Sequence, residues 1–228
     1  MSQQMLELCQ GGIAAARRFG ATDVEVYGQS GETTSATIEK HDLLMTKTQQ
    51  ETAFGIRAFV GNQVGFASTN DAADLERACR EAVTLAQASP GDPGNVLPEA
   101  QTIVPVAGLY DPAAEQYTTD RAVEQAIGIL RIAESIDRRV VIGHAGFTAK
   151  RSERAVVNTR RVCASERTSL FLYSVVATAK DGDRVSNMDY QDGATRNVGE
   201  IDVDPIVRRA SRIALDSLGA VPCGSSFR

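Results

Sequence analysis

The stretch Ala53–Thr69, AFGIRAFVGNQVGFAST, constrains the fold more than any other part of the chain. Aromatic and β-branched residues (Phe54, Ile56, Phe59, Val60) lead into Gly61-Asn62, and Gln63-Val64-Gly65-Phe66-Ala67 follows. Glycine and asparagine both tolerate the positive φ of a tight hairpin turn, so the segment reads as two antiparallel strands.

Around this hairpin the hydrophobic periods alternate between helical and extended. Met5, Leu8, Cys9, Ile13, Ala16 and Phe19 recur every three or four residues, which predicts a helix over residues 3–19 stopped by Gly20. Gly11-Gly12 inside it costs about 0.5–1 kcal/mol per glycine relative to alanine, a cost that suits close approach of another backbone. Strands are expected at Asp23–Tyr27, at Thr34–Glu39 after a turn at Ser30-Gly31, and at Leu43–Gln50 after Lys40-His41-Asp42. Asp71 is placed to cap the next helix, whose Leu75, Ala78, Cys79, Ala82, Leu85 and Ala86 share a face and which ends at Ser89-Pro90.

Five of the seven prolines (Pro90, Pro93, Pro98, Pro105, Pro112) then fall within residues 89–118, a composition for an ordered surface connector or a partly extended linker. Beyond it the pattern recurs. A helix from Thr119 carries Val123, Ala126, Ile127, Leu130 and Ala133. Strands are expected at Val140–Phe147, Arg154–Asn158, Val162–Thr168 and Leu170–Ala179, then a turn at Asp181-Gly182 and a strand through Tyr190. Residues 191–203 read as an extra loop, and Asp204-Pro205 opens a closing helix with Ile206, Ala210, Ile213 and Ala214 inward and Gly219 at its end. The two turns lie about 120 positions apart, as do the two leading helices. The reading is therefore an α+β chain: duplicated helix–antiparallel strands–helix units, with helices covering a largely antiparallel sheet. Its parts are repeat 1 (1–89), the proline-rich connector (90–118) and repeat 2 (119–220) of a single domain.

The formal charge of −5 and pI near 5.2 argue against holding polyanions by bulk charge. Cys9, Cys79, Cys163 and Cys223 are scattered without a CxxC pair and read as reduced thiols. The N-terminus MSQQMLELCQGG lacks a basic region before an apolar one, and no run approaches the ~18 apolar residues of a membrane span. A soluble, cytoplasmic protein is expected.

Catalytic motifs are scarce. His41 and His144 are the two histidines, neither with a second ligand in close spacing, and a zinc site from His41, His144 and Cys163 has no spacing to support it. GxSxG is absent, and Gly55, Gly61 and Gly65 lie in a hairpin with no helix N-terminus directly after it, so they form no phosphate loop. No catalytic, metal-binding or cofactor-binding residue is assigned. The one suggestive charge feature runs from Arg138 to Arg167, where Arg138, Arg139, Lys150, Arg151, Arg154, Arg160, Arg161 and Arg167 outnumber Glu153 and Glu166. Such a cluster can hold phosphates or an acidic peptide, but basic residues alternating with apolar ones are more often the wet face of a sheet. Few aromatics accompany them, which speaks against stacking on single-stranded nucleic acid.

From about Ile13 to Gly224 the sequence resembles the TldD/PmbA family, once labelled candidate modulators of DNA gyrase. The resemblance rests on Gly55-Ile56-Arg57, Gly61 and Gly65-Phe66-Ala67, with Val157-Asn158-Thr159 in the second half. It implies a subunit of a cytoplasmic two-chain metalloprotease that acts on unfolded or extended peptides. In that family the TldD-type chain carries zinc on an HExxxH helix, whose first glutamate is the general base toward a metal-bound water. The PmbA-type (TldE) chain lacks that helix, and so does this sequence, which looks slightly more like that type. No catalytic residue carries over, zinc is expected only in a TldD-type partner, and the chain alone is expected to be inactive. The resemblance further implies a homodimer or a heterodimer with a TldD-type chain. It also implies that the sequence is the N-terminal domain only, ending where relatives continue into a β-rich domain. The alternative is a regulatory module that touches DNA gyrase through Arg138–Arg167.

Overall fold

Burial along Asp23–Glu39 (β1) falls on even-numbered residues from Val24, Val26 and Gly28 through Thr34, Ala36 and Ile38. That period of two resumes in the same phase after the half-buried stretch Gln29–Thr33, as it does along one continuous strand. In the computed structural model, which describes residues 2–221 and 224, the turn expected at Ser30-Gly31 is therefore absent. Gly31 serves close packing instead: a Cβ there would lie 3.2 Å from the Arg151 carbonyl oxygen on the neighbouring strand. The same correction applies three more times. Asp42–Val60 (β2), Val140–Asn158 (β4) and Cys163–Asp181 (β5) are each one strand where the sequence pattern suggested two. Polar residues at mid-strand look like breaks in sequence but keep their backbone groups in the ladder. Cys223, with Pro222 and Ser225, lies outside the described residues.

Turn chemistry closes the hairpins. Lys40-His41 joins β1 to β2 with both residues at positive φ, 50° and 67°. Gly61, at φ 59°, with Asn62 joins β2 to Gln63–Thr69 (β3), and the register from Phe54↔Thr69 to Val60↔Gln63 matches the hairpin read from sequence. In the second half the pair Asp181↔Arg184 makes Gly182-Asp183 the turn, one residue later than expected. Two strands follow, Arg184–Val185 (β6) and Asp189–Thr195 (β7), and β7 pairs with β5. Part of the 191–203 stretch expected as a loop is thus strand, with a short 3-10 turn at Val198–Glu200 after it. The sheet order is β3-β2-β1-β4-β5-β6, with β7 beside β5. Backbone bonds Lys40 N–H to Gly143 O and Thr159 N–H to Val24 O run β1 and β4 antiparallel. With helices Ser2–Arg18 (α1), Leu75–Ala88 (α2), Thr119–Ile136 (α3) and Asp204–Asp216 (α4), the fold is α+β.

The chain forms two compact units that share the four long strands. The first comprises Met1–Glu32, Gln50–Leu109 and Arg151–Thr168. Met5, Cys9 and Ala16 of α1 and Ala78, Cys79, Ala82 and Val83 of α2 pack there on Val24, Val26, Phe54, Ile56, Ala155 and Val157. Burial pushes the Cys9 and Cys79 thiols up to about 11, so both behave as small apolar side chains. Residues 90–109 form an ordered connector on this unit: Leu97 is buried, and Ala100 N–H bonds Arg160 O. The second unit comprises Thr33–Gln49, Tyr110–Lys150 and Ser169–Arg228. Its core joins Ala126, Ile129 and Ala133 of α3 and Val207, Ala210 and Ala214 of α4 to Ile38, Ile142, Phe147, Phe171 and Val175.

Glycine has two contrasting roles. A Cβ on Gly65 would lie 2.1 Å from Ala82 O and 2.3 Å from Ala86 N, so α2 rests directly on the β3 backbone. Gly12 is buried against the Val26 side chain, not against a backbone as its sequence context suggested, and Gly11 meets nothing within 4 Å. Gly65→Ala is expected to destabilise the protein by about 3 kcal/mol or more through this overlap. Gly11→Ala is expected to stabilise it by about 0.5–1 kcal/mol. Urea unfolding of both variants measures the two signs.

Candidate functional site

The residues that could have formed a metal site are dispersed. His41 sits in the β1–β2 turn with Nε2 3.2 Å from Glu134 Oε1 on α3. His144 is exposed on β4, and Cys163 is exposed at the start of β5 in the other unit. Among the described residues no group of three or more His, Cys, Asp or Glu side chains converges as a metal site. These dispersed donors do not fit a zinc ion, which needs three or four ligands converging on one point.

The basic residues of Arg138–Arg167 divide between the two units. Arg138, Arg139 and Lys150 belong to the second unit and Arg151, Arg154, Arg160, Arg161 and Arg167 to the first. Most of these cations are engaged. Arg139 bonds Asp137 at 2.8 Å and holds that carboxyl down at about 2. Arg154 pairs with Glu166 at 3.6 Å, Arg160 with Asp23 at 3.2 Å, and Arg151 with Glu32. Asn158, in the segment that carries the family resemblance, is buried and structural. Its Oδ1 accepts from Arg160 N–H and Val162 N–H, and its amide donates to Pro98 O at 2.9 Å.

What the sequence pattern missed is a polar row on the core-side face of the first unit. Glu32 continues the buried even phase of β1, and Glu153 continues the buried odd phase of Ala155 and Val157 on β4. Gln50 Nε2 donates to Glu32 Oε2 at 2.9 Å, beside the Glu32–Arg151 ion pair. These contacts lower the Glu32 pKa, the Gln50 bond first. Glu153 differs: it is 6% exposed and its Oε1 accepts no hydrogen bond. Burial raises its pKa, and Arg167 offsets part of that rise. Within a run such as Ser152-Glu153-Arg154 nothing marks one charged residue as the buried one; only the phase from Val157 and Ala155 points to Glu153.

A second feature lies on β2. Asp42 to Gln49 are exposed throughout, because β3 pairs only with Phe54–Val60 and the second unit's core stops at β1. Leu44 and Met45 are 60% and 50% exposed, with Leu43 beside them. Among the described residues the outer edge of this stretch pairs with no strand and carries apolar side chains, the kind of edge on which an extended chain can pair.

The raised Glu153 pKa fixes a pH signature. A carboxyl whose folded pKa exceeds its unfolded value contributes stability below the ordinary carboxylate range, and loses it as pH rises through the folded value. Glu153→Gln removes the buried charge and is expected to raise stability at pH 7 by about 1 kcal/mol. The gain should shrink as pH falls toward 4, which thermal unfolding across that range measures.

No curated protein matches the chain by sequence. The description "PmbA/TldA metallopeptidase domain 1" matches residues 24–86, and "PmbA/TldA metallopeptidase central domain" matches residues 112–218. Among solved structures, TldE from Thermococcus kodakarensis superposes with a TM-score of 0.82 at 19% identity, over 90% of this chain and 46% of that one. TM0727 from Thermotoga maritima, described as a candidate modulator of a DNA gyrase, gives 0.82 at 16% identity, over 96% and 50%. BT3649 from Bacteroides thetaiotaomicron, with a similar description, gives 0.80 at 17%, over 95% and 51%. The chain spans about half the length of these structures, and at such identities they establish the fold. No helix among the described residues is long and apolar enough to cross a membrane. With two successive domains of one family matched in order across both halves of the sequence, this chain belongs to the PmbA/TldD metallopeptidase family.

Proposed function

We propose that the chain is the N-terminal part of a TldD/PmbA-like subunit in a cytoplasmic two-chain metallopeptidase that processes or degrades unfolded peptides. It acts without a catalytic motif of its own and supplies partner interface and a wall of the substrate channel. The observation that carries this reading is the pair of metallopeptidase-family matches on a chain with two histidines and no HExxxH. In this reading zinc belongs to a TldD-type partner, and the exposed edge Asp42–Gln49 is the surface given to partner or peptide. The other reading, a regulatory module that contacts gyrase through Arg138–Arg167, meets arginines already paired with Asp137, Glu32, Glu166 and Asp23.

The chain is therefore expected to show no cleavage of an unfolded fluorogenic peptide by itself. Mixed with a zinc-loaded TldD-type chain it should associate and support chelator-sensitive cleavage. Leu44→Lys with Met45→Lys should weaken that association at least about tenfold without lowering the unfolding midpoint, since both side chains are solvent-exposed. Zinc-dependent cleavage by the contaminant-free chain alone would falsify the assignment.

A further inference from the structure

The helices of the two units offer an internal comparison. Buried Leu75, Cys79, Ala82, Val83 and Ala86 on α2 and Val203, Val207, Ala210, Ser211 and Ala214 at α4 follow the same spacing. On that register Arg80 corresponds to Arg208, Glu81 to Arg209 and Thr84 to Arg212. An opening lies on this face in each unit. In the first it measures about 380 Å³ and is lined by Arg80, Glu81, Thr84 and Leu85. Its charges are satisfied: Glu81 bonds Arg77 at 2.7 Å, and the Arg80 guanidinium lies 4.7 Å from the Phe19 ring centroid.

In the second unit the opening is larger, about 480 Å³, and is lined by Ile136 of α3 with Arg208, Arg209, Arg212, Leu215 and Asp216 of α4. The acid and the hydroxyl of the first unit are here both arginine. Arg208 is held by Asp204 at 2.5 Å, but Arg209 and Arg212 have no ion-pair or hydrogen-bond partner among the described residues. Asp216, one turn beyond Arg212, forms no ion pair with it. Two guanidinium groups one turn apart repel each other, and an oxyanion between them removes that repulsion while offering acceptors to both forks. Ile136 and Leu215 supply an apolar floor, and the volume suits a small molecule.

We propose that this cleft between the C-terminal end of α3 and α4 is a binding site for a small oxyanion ligand, phosphate- or carboxylate-bearing, held by Arg209 and Arg212. Arg208, fixed by Asp204, completes the basic wall, and Asp216 at the rim disfavours ligands that extend past it. The site is independent of the peptidase reading, and the charge excess it uses is local, since the chain as a whole is acidic.

Isothermal titration of the full chain at low ionic strength with sodium pyrophosphate and, separately, with sodium citrate tests the site and separates the two ligand chemistries. Saturable one-to-one binding of at least one probe is expected, about tenfold weaker in Arg209→Ala and about a hundredfold weaker in Arg209→Ala/Arg212→Ala. Arg209→Lys/Arg212→Lys, which keeps the charge and loses the fork, should fall between the wild type and the double alanine variant, and it serves as the second probe if the alanine variant melts early. Arg17→Ala/Lys47→Ala removes the same net charge elsewhere and should bind like the wild type. Absence of binding by both probes overturns the proposal, as does undiminished binding by both double arginine variants. An equal loss in the Arg17/Lys47 control also overturns it, because bulk charge is then the whole effect.

Discussion

The structure depends on four strands of 17 to 19 residues that remain in register through a polar middle. Each contributes one stretch to each of two compact units. Continuity requires that mid-strand polar side chains find partners. Glu32 has Gln50 and Arg151, Ser152 bonds Thr168 at 2.7 Å, and Thr34 meets Thr48 at 3.3 Å. Glu153 is the exception, with an unsatisfied oxygen and a pKa raised by burial. Its burial without a partner for Oε1 makes it a charged group whose removal is expected to help the fold.

Much of this was legible in the sequence, and the failures share a cause. Gly61-Asn62 announced its hairpin because only a few residue types accept the required φ, and the four helices followed from their three-and-four spacing. Ser30-Gly31 misled because serine and glycine mark turns by composition. Val24, Val26, Ala36 and Ile38 all occupy even positions, and that shared phase was the stronger signal for one strand. Composition also grouped Arg138 to Arg167 as a cluster, although they divide between the two units and several of them are held in ion pairs. That Arg209 and Arg212 have no partner among the described residues left no trace in sequence, since it is a fact of tertiary packing.

Function divides in the same way. Family membership rests on long, ordered matches, and the residues behind the resemblance turn out to be structural: Gly61 at a turn, Gly55 against the Phe66 ring, Gly65 at the α2–β3 contact and Asn158 at the end of β4. The surfaces proposed for binding lie elsewhere, on the exposed apolar edge at Leu43–Met45 and beside the arginines of α4. The proposed role as a supporting subunit rests on those family matches together with the open strand edge at Asp42–Gln49.

The most direct test of that account is the native mass and metal content of the assembly that this protein forms in its source cells. The account predicts a complex well above the mass of the single chain, containing a related chain that carries zinc. A particle with the mass of one chain and no zinc-bearing partner would contradict it.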